Sequence, residues 1–437
     1  RRVSRVLWGR VLADVGQTVH LEGVVPKHGP GATAEKLKGN RKYDQTEWTS
    51  RLEEVFPAAE YLLPNWSHLP ELHRVNWLEP GAERPVRVIT VPKTLKTPRI
   101  IAIEPTCMQY VQQGILEILV ERIEQDKLMT SFVGFRNQET NRQMARHASL
   151  TGKLATLDLS EASDRVSNQL VRVLLGEGTL ARGIDACRSR KADVPGRGVI
   201  RLAKFASMGS ALCFPIEAMV FLTLIFLGIQ DVLRRPLTYK DLKSFVGEVR
   251  VYGDDIIIPV EYVPSVVSRL ETFGFKVNAN KSFWSGNFRE SCGGDYFRGE
   301  DVTVIRVRQV LAEPRRNAQE KLSESERAQR IISTVSLRNQ LYKRGLWKTV
   351  RFLDSWIEKV IPFPAVSETS PVLGKHNFTG YESARLCPYL QRPLVRGMVQ
   401  FGEAPESNLD GYAALLKFFL KRGDKPFFDK NHLERYG

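Results

Sequence analysis

Hydrophobic positions along the chain change period several times. Around Val86 the run VRVITV, the polar stretch PKTLKTPR and the run IIAIEP predict two strands joined by a basic loop. From Cys107 to Gln125 apolar residues recur at helical spacing, and a more polar helix is predicted from Gln138 to Ala148. A short apolar strand, Leu154 to Leu159, precedes a helix from about Ala162 to Leu175. Ala211 to Ile229 is long and largely apolar. EVRVY and IIIPV then flank Gly253, Asp254 and Asp255, the pattern of a hairpin with its turn at the GDD. An amphipathic helix is predicted from Pro264 to Phe273, and GFKVN begins another strand. Beyond Val310 the chain reads as mainly helical to Val360, loop-rich through Pro388, and helical again near Leu409 to Arg422. Strand, helix, hairpin, helix and strand in that order predict an α+β core with helical additions.

Neither repeats nor low-complexity tracts interrupt this pattern, so solenoids and long disordered tails are not expected. The 437 residues exceed the usual size of a single core, and two or three subdomains are expected. The apolar run Ala211 to Ile229 is long enough to imitate a membrane span. It carries Pro215 and Glu217, however, and an acid at a bilayer centre costs roughly 2.5 to 3.5 kcal/mol, so we read it as a core helix and expect no membrane association. The chain begins with Arg1 rather than methionine and lacks the regions of a signal peptide, which predicts a fragment without its natural start.

Charge changes the picture. Lysine and arginine outnumber aspartate and glutamate 64 to 49, a net charge of +15, which favours a polyanionic partner. Five scattered cysteines, never in a CxxC pair, read as reduced thiols, and seven dispersed histidines form no zinc signature. A metal, if used, must be held by carboxylates. Asp158 ends an apolar strand in TLDLSEASD, while Asp254 and Asp255 occupy a turn between apolar strands, so all three sit on rigid edges rather than on loose loops. Adjacent acids in a turn are often only solvated turn formers. Basic residues between Asp185 and Leu202 (Arg188, Arg190, Lys191, Arg197 and Arg201) read as a phosphate-contacting insertion, with a solvated loop as the alternative.

Several stretches carry a resemblance. DLSEASD looks like the first metal motif of RNA-dependent RNA polymerases, SMGS like their flexible template loop, and YGDD like their second metal motif. VPKTLKTPRIIAIEP at Val91 to Pro105, GFKVNANKSF at Gly274 to Phe283 and FRESCGGDYFRGEDVT at Phe288 to Thr303 narrow it to RNA bacteriophage (levivirus-like) replicases. Glu217, eight residues after Gly209, stands where polymerases of other RNA viruses have an asparagine, and phage replicases resemble this chain there too. The match runs from about Val86 to Val307 and fades towards Asn377; residues before about Glu83 and the extreme C-terminus give none.

The resemblance implies a right-hand polymerase of fingers, palm and thumb, with an antiparallel palm sheet carrying the GDD hairpin. Its expected divisions are 1–150 for the N-terminal region and fingers, including the basic loop 91–105, 151–310 for the palm with a fingers insertion near 180–206, and 311–437 for the thumb and C-terminal region. It implies template-directed RNA synthesis by two-metal nucleotidyl transfer, replicating a positive-strand RNA virus genome. Asp158 and Asp254 are expected to hold two Mg²⁺ ions (Mn²⁺ substituting), with Asp255 as a supporting carboxylate. Lys93, Lys96 and Arg99 are expected along the path of the incoming triphosphate, Asp164 and Glu217 near the ribose, Ser207 and Gly209 beneath the template, Lys281 at the pyrophosphate and Arg289 on RNA phosphate. Arg315, Arg316, Arg327 and Arg330 read either as tracking product RNA or, given their acidic neighbours, as a solvated face. The implied partners are single-stranded template RNA, product RNA, ribonucleoside triphosphates, and host elongation factors Tu and Ts with a ribosomal protein, in the cytoplasm of an infected bacterial host. Two alternatives remain open from sequence: the replicase of a capsidless eukaryotic RNA element, and a non-catalytic RNA-binding protein of polymerase-like fold.

Overall fold

The computed structural model describes residues 1–92, 98–314, 322–400 and 408–422. The chain divides into two compact units, one of Arg1–Thr90, Ile100–Thr303 and Pro405–Gly437, the other of Val91–Arg99 and Val304–Ala404. It is α+β.

The first unit is built around a three-stranded antiparallel sheet. Asp255–Pro259 lies in its centre, between Leu154–Leu157 and Arg250–Tyr252. Ile256, Ile257 and Ile258 are buried in succession, because helices cover both faces of this strand. The largest of them, Cys213–Leu233, is long and apolar enough to cross a membrane, yet two-thirds of its most apolar window is buried inside the protein. It packs on the helix Val263–Thr272, where Gly228 lets the backbones meet: a Cβ at that position would stand 2.8 Å from Val266 Cα. The N-terminal helix Arg2–Leu21, in a region with no motif resemblance, joins the same core. Trp8 on it is fully buried, and its indole donates to Thr223 Oγ1 at 2.9 Å.

A second sheet takes the order Pro98–Ile103, Val86–Pro92, Lys191–Val194, Gly198–Arg201. The basic stretch after Asp185 is therefore ordered. Lys191–Val194 and Gly198–Arg201 form an antiparallel hairpin, Arg188 is buried, and Arg190 pairs with Asp185 at 2.9 Å. Beneath it Arg51 and Glu83 form a buried ion pair, with Arg51 also donating to the Arg188 carbonyl at 3.0 Å. These bonds tie the N-terminal region to the hairpin.

The helix expected from Ala162 to Leu175 is broken into Ala162–Arg165 and Asn168–Leu175, with extended backbone at Val166 and Ser167; Ser167 bridges to Lys204. The C-terminal helix Gly411–Lys421 belongs to the first unit rather than with 311–404. It buries Ala413 and Leu416 there, Lys417 bonds Asn40, and Arg74 lies over the Tyr412 ring at 5.3 Å.

Among the described residues the second unit holds two helices, Glu324–Lys343 and Trp347–Ile357, over their own apolar cluster of Ile331, Val335, Leu353, Ile357 and Phe363. The chain from Val304 to Pro314 is not helical. A capping box starts the first helix: Ser323 accepts from Glu326 N–H while the Glu326 carboxylate accepts from Ser323 N–H. The short strands between Val372 and Val399 complete the unit.

Candidate active site

Strand register brings the acids together. Leu154–Leu157 pairs with Asp255–Pro259 from Leu154↔Pro259 to Leu157↔Ile256, and one step further sets Asp158 across from Asp255. Directly opposed residues on antiparallel strands point to one face, with Cα atoms about 4.5–5.5 Å apart. Tyr252 pairs with Asp255 on the other side, leaving Gly253 and Asp254 as the two-residue turn. Gly253 has φ +61° and Asp254 does not share a positive φ, the arrangement of a type II′ hairpin, which takes glycine first. Space demands glycine as well: a Cβ there would meet Phe214 Cε2 at 2.4 Å. Phe214 stacks edge-on against Tyr252 at 5.3 Å, and the Tyr252 hydroxyl donates to the Phe135 carbonyl at 3.0 Å. The turn presenting Asp254 to solvent is thus held from behind.

Each neighbouring carboxylate has its own support. Asn278 donates from Nδ2 to Asp158 Oδ2 at 3.0 Å and from its backbone N–H to the Asp158 carbonyl at 2.9 Å, while Asp158 N–H donates to Ser282 Oγ at 3.0 Å. GFKVN forms no continuous strand. Val277 and Phe283 make isolated bridges to Leu159 and Thr156, covering the open edge of the strand that carries Asp158. Asp255 Oδ1 accepts from Cys292 N–H at 3.0 Å and from Ser291 Oγ at 3.4 Å.

Glu217, in the first turns of the long apolar helix, is buried, and its Oε2 has no hydrogen-bond partner. Burial, then the charges of Asp254 and Asp164, push its carboxyl up to about 8. Asp255 is pushed up to about 6 by burial and by the charges of Asp254 and Asp158, although the Cys292 N–H acts in the opposite direction. Asp164 is also raised, by burial first, against a hydrogen bond from Ser207. Five carboxyl groups therefore share one field, and each raised acid reports repulsion or desolvation that a bound cation would relieve. Among the described residues no three Asp, Glu, His or Cys side chains are drawn into a ready-made coordination shell. Hard oxygen donors are present, with Asp254 exposed and Glu217 buried.

Gly209 lies against the second sheet with φ +131°, where a Cβ would fall 2.0 Å from the Ala102 carbonyl oxygen. The loop is anchored on either side of it: Ala102 N–H donates to the Met208 carbonyl at 2.8 Å, and Ser210 Oγ to Gln112 Oε1 at 3.1 Å.

Lys93 and Lys96 lie outside the described residues, as do Arg315 and Arg316, and Arg99 is exposed in the second unit. Lys281 is exposed, three residues beyond Asn278. Arg289 requires a correction. It is fully buried, donating to the carbonyls of Leu154 (2.6 Å), Gly286 (2.9 Å) and Phe288 (2.7 Å), so it cannot reach RNA phosphate. It fastens the hairpin of Phe288–Ser291 and Gly294–Phe297, which supports Asp255, to the strand leading to Asp158. Asn278, Ser282 and Ser291 were not among the expected residues, although they lie in the two stretches that carried the resemblance.

The architecture is that of an α+β protein whose central antiparallel sheet presents a strand-end aspartate beside a Gly-Asp-Asp turn. A family model for the RNA replicase beta-chain matches residues 81–316, more than half the chain, and the chain belongs to this family. Relatives include the RNA-directed RNA polymerase subunit beta of Escherichia virus Qbeta, 38% identical over 228 residues, covering 52% of this chain and 36% of that one. The beta chain of Enterobacteria phage fr is 35% identical over 226 residues, 52% of this chain and 38% of its own. The aligned segment is thus little more than a third of the length of these relatives. Among solved structures, a BmCPV RNA-dependent RNA polymerase at elongation state aligns over 78% of this chain and 32% of its own, at 9% identity and a TM-score of 0.46.

Proposed function

We propose that the chain is the catalytic part of an RNA-directed RNA polymerase that copies a positive-strand RNA phage genome in the cytoplasm of its bacterial host. The observation that carries this is the register setting Asp158 across from Asp255 beside the Asp254 turn, in a chain of the replicase beta-chain family. On this reading the first unit supplies palm and fingers, and the helical second unit the thumb.

Asp158 and Asp254 would hold Mg²⁺, with Asp255 in support and Mn²⁺ able to replace it; the fit rests on clustered, mutually repelling oxygen donors. Bound there, a pair of such ions would stabilise the attacking and leaving oxygens of nucleotidyl transfer. The protein's own contribution is positional. Asn278 and Ser282 fix Asp158, Cys292 N–H and Ser291 fix Asp255, and Phe214 fixes the turn. Asp164, oriented by Ser207, and Glu217 would meet the ribose hydroxyls of the incoming nucleotide, the contact by which RNA is told from DNA. Gly209 would shape the loop beneath the template. On the same reading Lys281 would meet the pyrophosphate, and Lys93, Lys96 and Arg99 would neutralise the triphosphate.

Template and product RNA, ribonucleoside triphosphates, and host elongation factors Tu and Ts with a ribosomal protein are the partners this family membership suggests. The test is template copying by purified chain with Mg²⁺ and four ribonucleotides, with and without a bacterial extract. Labelled product complementary to the template is expected; no product on any template under either condition would overturn the proposal.

A further inference from the structure

Basic charge is unevenly divided. Val91–Arg99 and Val304–Ala404 together hold 20 lysines and arginines against 9 acids, a net charge of +11 out of the +15 of the whole chain. On this unit a run of aromatic rings reaches the surface. Tyr342, in the last turn of Glu324–Lys343, meets Trp347 edge-on at 4.9 Å and Phe378 at 5.0 Å with a 37° tilt. Trp347 is 47% exposed and Phe378 74% exposed.

The rings are held rigidly from beneath. Arg338 lies 4.8 Å from the Tyr342 ring centroid and is itself buried, bonded to both carboxylate oxygens of Asp354 at 2.6 and 3.0 Å and to the His376 carbonyl at 2.8 Å. The Tyr342 hydroxyl donates to Asn377 Oδ1 at 2.8 Å and accepts from Phe378 N–H at 3.1 Å, which fixes the loop carrying Phe378. Asn339 adds bonds to the Gly374 carbonyl and from His376 N–H. A buried ion pair and five further hydrogen bonds therefore support a ring that is left three-quarters exposed, instead of folding it inward. Beside it Lys348 and Arg351 are exposed and have no ion-pair partner among the described residues. The acids nearby are engaged: Glu368 with Lys343, Asp354 with Arg338 and Glu358 with Lys375.

Rigid exposed rings bordered by unpaired cations are the chemistry that binds single-stranded nucleic acid, bases stacking on the rings while phosphates meet the cations. A fully paired helix hides its base faces and offers the rings only its ends. We propose that Trp347, Tyr342 and Phe378 form a stacking platform for unpaired RNA bases, acting on RNA before pairing or after strand separation. The proposal rests on the reading of the chain as an RNA-directed polymerase.

The test uses the full chain and a short 5-iodouridine-substituted oligo(U), photo-crosslinked and mapped by mass spectrometry, together with oligo(U) affinity. Adducts are expected on the peptides carrying Trp347 or Phe378, removed by excess unlabelled oligo(U) and not by RNA duplex closed by loops at both ends. Phe378→Ala and Trp347→Ala should each weaken oligo(U) binding roughly 5- to 150-fold with the salt slope unchanged, since a stacked base and not a phosphate contact is lost. Phe378→Tyr, which keeps the ring, should bind as the unsubstituted chain does. Adducts confined to other peptides, or alanine variants binding within twofold of the unsubstituted chain, would overturn the platform. Ring-dependent binding by a chain that incorporates no nucleotide would overturn the polymerase reading and leave the platform standing; incorporation with ring-independent binding would do the reverse.

Discussion

Replacing Arg289 separates a structural role from an RNA-binding one. The guanidinium makes three hydrogen bonds to backbone carbonyls, each from a charged donor and each contributing about 1.5–3 kcal/mol. Against this stands the desolvation of a buried cation, several kcal/mol even after relaxation, and an Nη2 left without a partner. Arg289→Ala removes the charge but strands three buried carbonyls and opens a cavity, so we expect a net loss of about 3–5 kcal/mol. In a unit of this size that lowers the melting temperature by roughly 5–10 °C. Arg289→Lys, with one compact head in place of a fork, should fall between. Thermal unfolding gives the stability. Filter binding of RNA at several salt concentrations, below the variant's transition, gives the number of phosphate contacts. The slope of log K against log salt should match that of the unsubstituted chain. A variant of unchanged stability whose slope falls by about one would refute the structural assignment and restore Arg289 to the RNA surface.

Glu104 provides a pH test away from the carboxylate site. Burial holds its carboxyl up at about 7 from an ordinary 4.5, so the fold prefers the protonated form. Its destabilising effect sets in as pH rises past 4.5 and is complete above 7. Glu104→Gln should therefore flatten the fall in stability between pH 5 and 8, by up to about 3 kcal/mol in chemical denaturation, and an unchanged pH profile would count against the buried neutral acid. Gly209→Ala should lower stability by about 2 kcal/mol or more, because its φ of +131° and the Ala102 carbonyl both exclude a Cβ; a melting temperature equal to that of the unsubstituted chain would contradict the described loop.

Local periodicity carried the central sheet. The GDD turn, the strand before Asp158 and the apolar helix all lie where the apolar runs and turn residues put them, because strands and helix alike are buried along almost their whole length. The break at Val166 and Ser167 was not legible, since a bridge to Lys204 nearly forty residues away decides it. The same reason hid the supports of the site. Asn278 and Ser282 reach Asp158 across more than a hundred residues, and nothing in NANKSF distinguishes them from the more conspicuous Lys281. Arg289 misled because an arginine in a polar stretch reads as exposed, whereas three carbonyls at strand ends supplied enough acceptors to bury it. The C-terminal helix was visible as a helix, but its place in the first unit depended on Asn40 and Arg74, which carried no motif.

If the acids around the GDD turn carry the chemistry, Asp254→Asn should abolish nucleotide incorporation while sparing the fold. Asp254 is exposed at a turn held by Gly253 and Phe214, so an isosteric amide there should leave folding and RNA affinity intact. Single-nucleotide incorporation on a saturating primed RNA template with Mg²⁺ is the measurement. The unsubstituted chain is expected to extend the primer by the complementary nucleotide and the variant's rate to fall by about a thousandfold or more, in line with the several kcal/mol a catalytic metal contributes. A well-folded Asp254→Asn chain incorporating at the unsubstituted rate would contradict that role for the acids.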